Sequence, residues 1–171
     1  MNKVLCVFGI SAVVSAVLAY PLTSQAGWIG HAYVDCVPEM DNQSGTTHAY
    51  YYQNGGNQGP HEMSLSCAVA ETSERPKNTY TFVNIKARDY NSSTAIRAMA
   101  CLNSESGSGG GCSAIHSTTG STGAIETLTI PQADLVSMWP SSSGYAYLSI
   151  RLPVPSSNGS VSSVIGYYYG S

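Results

Sequence analysis

Residues 79–88 read Thr79-Tyr80-Thr81-Phe82-Val83-Asn84-Ile85-Lys86-Ala87-Arg88. The run is rich in β-branched and aromatic residues, and Thr81, Val83, Ile85 and Ala87 alternate with Phe82, Asn84, Lys86 and Arg88. A period of two with one dry and one mostly wet side marks a strand that buries a single face. The turn-forming residues Asp89-Tyr90-Asn91-Ser92-Ser93 follow. Residues 95–102 then place Ile96, Ala98, Ala100 and Leu102 on one side and Arg97, Met99 and Cys101 on the other. Two such runs joined by a short polar turn predict a β-hairpin over residues 78–102. A hairpin is not stable alone in water, so its apolar face must pack on a second sheet.

The same alternation recurs on both sides of this segment. Upstream, residues 28–37 and 46–52 read as strands, Asn54-Gly55-Gly56-Asn57-Gln58-Gly59-Pro60 as a loop, and 63–70 as a strand with Leu65, Cys67 and Val69 to one side. Downstream, residues 113–117 predict a short edge strand, 124–130 and 145–152 predict longer ones, and 161–169 closes the chain. Residues 131–136 admit one helical turn starting at Pro131, where a proline forfeits no hydrogen bond, but a segment that short contributes little as a helix. Short strands at regular spacing with turn signals between them predict an all-β fold. The expected architecture is a single antiparallel β-sandwich, jelly-roll or Greek-key-like.

The N-terminus has the three-part layout of a secretory signal peptide: Lys3, an apolar run over 4–19, and the small-residue pattern Ser24-Gln25-Ala26. Residues 1–26 are therefore expected to be removed, leaving 27–171 as a secreted domain, periplasmic or extracellular. The apolar run is shorter than the roughly 20 residues of a membrane helix, and no span is expected in the mature chain.

Charged residues make up only 10% of the chain and the net charge is −3. No basic run or aromatic-flanked arginine cluster is present, which argues against nucleic acid and anionic membrane surfaces as partners. Ser, Thr, Asn and Gly supply the polarity, and twelve tyrosines stand against two phenylalanines. Hydroxyls and amides suit the strands and turns of an exported β-protein. Without Cys6, the cysteines Cys36, Cys67, Cys101 and Cys112 are even in number, which in an exported chain implies two disulfides. Of the three possible pairings, Cys36 with Cys67 and Cys101 with Cys112 is favoured, because the glycine-rich residues 104–111 can close the second loop without strain. No Cys-x-x-Cys spacing suggests a metal site.

Cys36-Val37-Pro38, Ser64-Leu65-Ser66-Cys67, Cys101-Leu102 and Tyr145-Ala146-Tyr147-Leu148-Ser149-Ile150-Arg151-Leu152-Pro153 together resemble a group of small exported bacterial proteins of unknown function. The resemblance spans most of the mature chain and implies a compact all-β domain and an exported address. This chain departs from the group in having no cysteine near Ile150 while having Cys112.

No catalytic residues, metal ligands or cofactor site can be assigned from motifs. His31, His48, His61 and His116 are scattered, no Gly-x-Ser-x-Gly elbow occurs, and Glu105-Ser106-Gly107-Ser108-Gly109 is a loop between two cysteines. Aromatic residues are the stronger signal. Tyr50-Tyr51-Tyr52, Tyr145 with Tyr147, and Tyr167-Tyr168-Tyr169 each put a tyrosine on each face of a strand or align two on one. The solvent-side members, taken as Tyr51, Tyr145, Tyr147 and Tyr168 with Trp28 and Trp139, form a candidate binding platform. Flat aromatic faces stack on sugar rings and anchor protein contacts. The expected function is thus a secreted, non-catalytic binding or structural protein recognising a glycan or another protein. The alternative is a small secreted hydrolase using carboxylates such as Glu62, Glu71, Glu74 or Glu126.

Overall fold

The computed structural model describes residues 28–32, 35–38, 49–52, 54–73, 75–104, 110–140 and 144–171. The expected signal peptide, His48, Glu74 and the loop 105–109 lie outside them. The described elements are β1 (Trp28–Ala32), β2 (Cys36–Pro38), β3 (Ala49–Tyr52), β4 (Asn54–Asn57), β5 (Met63–Ala68), β6 (Phe82–Arg88), β7 (Arg97–Asn103), β8 (Gly110–Cys112), β9 (His116–Ser117), β10 (Ile125–Pro131), α1 (Gln132–Met138), β11 (Tyr145–Leu152) and β12 (Ser163–Gly170).

The strands form two antiparallel sheets. The first has the order β10-β6-β12-β4-β3, with β1 also paired to β12. The second has the order β2-β5-β11-β7-β8, with β9 also paired to β7. Between them lies one core, in which Val83, Ile85, Ala87, Leu128, Ile130, Val164, Tyr167 and Tyr169 of the first sheet meet Leu65, Cys67, Ala98, Ala100, Leu148, Ile150 and Leu152 of the second. The alternation read from the sequence therefore gives the correct buried face for β6 and β11. Both expected disulfides are present, and each joins residues directly opposite in register, Cys36 with Cys67 across β2 and β5, and Cys101 with Cys112 across β7 and β8.

Three readings need correction. The expected hairpin over 78–102 does not exist: β6 pairs with β10 and β12, whereas β7 pairs with β11, β8 and β9, so the two strands face each other across the core. The connection is a corner built on Asp89. Its carboxylate accepts hydrogen bonds from the backbone N–H of Asn91 (2.9 Å) and Ile96 (3.0 Å), from Ser162 Oγ (2.9 Å) and from the hydroxyl of Thr118. Asn91 continues the turn, accepting from Ser93 N and Thr94 N and donating to the carbonyl of Val154. Alternation states which face a strand buries and says nothing of its lateral neighbour.

The second correction concerns the expected loop over 54–60, whose first four residues form β4, paired with both β3 and β12. Glycine is required there because a Cβ at Gly56 would stand 2.8 Å from the Val161 side chain. Asn57 is buried and donates to the carbonyls of His61 (2.7 Å) and Pro153 (3.0 Å) while accepting from Gly59 N (2.9 Å). Polar glycine-rich composition thus masks a strand whose order comes from its neighbours. Finally, the segment after Pro131 is a seven-residue helix with structural weight. It places Leu135 and the following Trp139 in the core, and Trp139 donates its Nε1–H to the carbonyl of Cys101 at 2.8 Å. Among the described residues no helix is long and apolar enough to cross a membrane.

Candidate functional site

The structure distributes the six aromatic candidates over several places. Trp139 is fully buried, packed edge-on to Tyr80 with ring centroids 6.3 Å apart, and is unavailable to a ligand. Its position after α1 tucks the indole between the sheets, which a strand-based reading could not anticipate. Tyr51 lies in β3 opposite Gly55, and Trp28 lies in β1 opposite Gly170. Tyr168 lies on the outer face of the first sheet, and Tyr145 and Tyr147 on the outer face of the second. No single platform gathers all six.

Tyr145 and Tyr147 stand two residues apart on β11, an interior strand held between β5 and β7. Ala146, Leu148, Ile150 and Leu152 anchor the opposite face of that strand in the core. Tyr145 is 69% exposed and sits opposite Asn103, while Tyr147 is half-buried between Cys101 and Ala68. Further along the same face Ser149 lies between Met99 and Ser66, with Val37, 65% exposed, beyond Ser66. The next row holds Arg97, Arg151 and Ser64, and the Arg97 guanidinium forms a two-point ion pair with Glu62 at 2.5 and 2.7 Å. The result is a sheet face with phenol rings at one end, serine hydroxyls in the middle and arginines at the other end.

The first sheet has a different outer face. Phe82 and Tyr168 meet edge to face with centroids 6.2 Å apart, and the Phe82 ring lies over Gly170, where a Cβ would come within 2.9 Å of it. Asn84, beside Tyr168, accepts a hydrogen bond from Thr129 Oγ1 at 2.6 Å. Lys86 and Arg88 complete the outward row of β6. Sequence reasoning identified the wet side of β6 but left Phe82, Asn84, Lys86 and Arg88 out of the candidates. Their signal was already present in the alternation.

Three other tyrosines serve the core. Tyr167 and Tyr169 on β12 and Tyr80 before β6 reach across to the end of β5: Tyr80 Oη donates to the carbonyl of Ala70 (2.6 Å), Tyr167 Oη donates to that of Ala68 (2.5 Å), and Tyr169 Oη accepts from Ala70 N (2.8 Å). Burial pushes the Tyr80 phenol up to about 12, with the neighbouring Tyr169 and Glu71 adding to it. Burial likewise raises Tyr167, with Asp35 adding, and raises Tyr169. Their hydroxyls explain why tyrosine stands here rather than phenylalanine: each ring fills the core while its oxygen pairs with the backbone at the end of β5.

The described acidic side chains have structural employment. Besides Glu62 on Arg97, Glu71 pairs with the buried Lys77 at 3.3 Å, and Glu126 accepts from the backbone N–H groups of Thr119 and Gly120, both at 2.9 Å. Asp134 of α1 bonds His116 of β9 at 2.6 Å, tying helix to sheet.

No family model matches this chain, and no curated protein matches it. Among solved structures, a xylan-binding module, CBM15, is similar at 12% identity over 85% of this chain and 96% of that one, with a TM-score of 0.44. At that level the likeness decides neither fold nor ligand, and the two-sheet architecture rests on the strand pairing described above.

Proposed function

We propose that this protein is an exported, non-catalytic recognition module that holds a carbohydrate against the outer face of its second sheet. The observation that carries this reading is the pair of aligned tyrosines, Tyr145 and Tyr147, on a rigid interior strand. A phenol face stacks on the apolar side of a sugar ring, and nearby hydroxyls exchange hydrogen bonds with its rim. Ser64, Ser66 and Asn103 supply such groups within the same rows. Because the tyrosines project from a strand anchored in the core, little conformational entropy is lost on binding. Export is supported by the N-terminal pattern and by two disulfides, which persist in oxidising compartments. The structural engagement of Glu62, Glu71 and Glu126 favours binding over carboxylate-driven hydrolysis.

The test is binding of the purified oxidised domain to arrays of neutral glycans and polysaccharides, with Tyr145→Ala and Tyr147→Ala as controls. Saturable binding weakened by about tenfold or more in each variant is expected, since base- or ring-stacking contacts contribute about 1–3 kcal/mol. Absence of binding to every neutral glycan would move the same face to a protein partner.

A further inference from the structure

The outer face of the first sheet carries an independent inference. We propose that it is a second site, selective for acidic polysaccharide, in which Lys86 and Arg88 engage carboxylate groups of the polymer beside the Phe82 and Tyr168 rings. The site does not depend on the tyrosine pair of the opposite sheet.

The chain has seven basic and ten acidic residues and a net charge of −3. Yet the outward rows formed by β6, β10 and β12 hold Phe82, Asn84, Lys86 and Arg88, then Pro131, Thr129, Thr127 and Ile125, then Gly170, Tyr168 and Gly166. These rows contain two cations and no carboxylate. A locally positive face on an acidic protein attracts anions and repels none of them with its own side chains.

Lys86 is exposed, and neither it nor Arg88 has a carboxylate partner among the described residues, in contrast to Lys77 and Arg97, which are paired with Glu71 and Glu62. Arg88 Nε, like Arg97 Nε, is buried without a hydrogen-bond partner among the described residues. The terminal guanidinium nitrogens of Arg88 remain able to donate to a carboxylate. Strand geometry places the two side chains on one face about 7 Å apart at their origins, so both can reach one carboxylate or two successive ones.

Surface chemistry then selects the kind of anion. Gly166 carries no side chain beside Tyr168, and the aromatic corner of Phe82 and Tyr168 adjoins Asn84 and the hydroxyls of Thr127 and Thr129. Rings, an amide and hydroxyls beside two cations match a uronic acid residue, which offers an apolar ring face, hydroxyls and one carboxylate. A nucleic acid presents a dense phosphate array and needs many more cations for comparable attraction.

The experiment measures retention of the full mature, oxidised protein by polygalacturonate, compared with an uncharged galactan and with duplex DNA, across a salt series. Wild type is expected to bind polygalacturonate in preference to both others, and to lose affinity as salt rises. Lys86→Gln alone is expected to weaken binding about threefold and Lys86→Gln with Arg88→Gln about tenfold, as partly exposed charge pairs contribute modestly each. Tyr145→Ala is expected to leave this binding unchanged, which separates failure here from failure of the neutral-glycan site. Lys86 is exposed, so its variant keeps the test valid should Arg88→Gln misfold. Equal binding of galactan or DNA, no binding to polygalacturonate, or undiminished binding by Lys86→Gln overturns the proposal.

Discussion

Asp89 is the residue on which the crossover between sheets depends. It is 1% exposed, and its two carboxylate oxygens together receive four hydrogen bonds from three separate segments of chain. Its own carbonyl accepts from Gly123 N at 2.7 Å, and Gly123 adopts φ 76° with the Tyr90 ring where a Cβ would stand. A buried carboxylate is tolerated only when its lone pairs are occupied, as they are here. Asp89→Asn would turn an amide N–H₂ toward donors already pointing inward, so that at least one of the four loses its acceptor on this side chain. The expected cost is about 2–4 kcal/mol, seen as a lower urea midpoint with an unchanged slope. A variant as stable as wild type would remove Asp89 from this role. The acid type, the Asn two residues later and the serines are visible in the sequence. Thr118 and Ser162, which complete the knot, are 29 and 73 residues away, and local turn patterns contain no sign of them.

At the scale of elements, strands gain their neighbours from corners and clamps rather than from their own composition. The Cys101–Cys112 bond holds β8 against β7 at the edge of the second sheet, beside Tyr147. With a separation of 11 residues, its removal in a Cys101→Ser, Cys112→Ser double variant is expected to cost about 3 kcal/mol in the chain-entropy account. Differential scanning calorimetry would record this as a lower Tm, and a change below about 0.5 kcal/mol would show that the bond adds little to folding stability. The helix α1 shows the same point from packing: seven residues of modest propensity are helical because Leu135 and Trp139 need a route into the core. β4 shows it from pairing, since its residues have poor strand propensity and are held by β3 and β12.

The whole molecule is a sandwich whose sheets are tied across the core by phenols as well as by apolar contact. Tyr80, Tyr167 and Tyr169 have pKa values raised above the ordinary 10 by burial. An unfolded chain releases these protons near 10, whereas the folded one holds the Tyr80 proton to about 12. Stability is therefore complete below pH 10 and falls as pH rises from there, because ionisation favours the unfolded state. Absorbance titration at alkaline pH should show these tyrosines ionising together with loss of the near-ultraviolet circular dichroism signal. Ionisation of all tyrosines at about pH 10 with the signal intact would contradict the burial described here. For surface chemistry, the two outer sheet faces differ: one is a tyrosine and serine face, the other a cationic face with an aromatic corner.

Sequence alone determined the all-β class, the two disulfides, and which side of β6 and β11 goes inward. These follow from a side-chain period of two and from cysteine count, both local properties of a chain. Tertiary structure alone decided which strands lie side by side, that Trp139 is core, and that Tyr168 of β12 joins the face carrying Phe82, Lys86 and Arg88. The physical reason is range: lateral pairing and burial at the ends of elements depend on contacts such as Tyr167 with Ala68, 99 residues apart, and such partners leave no periodic trace in the intervening sequence.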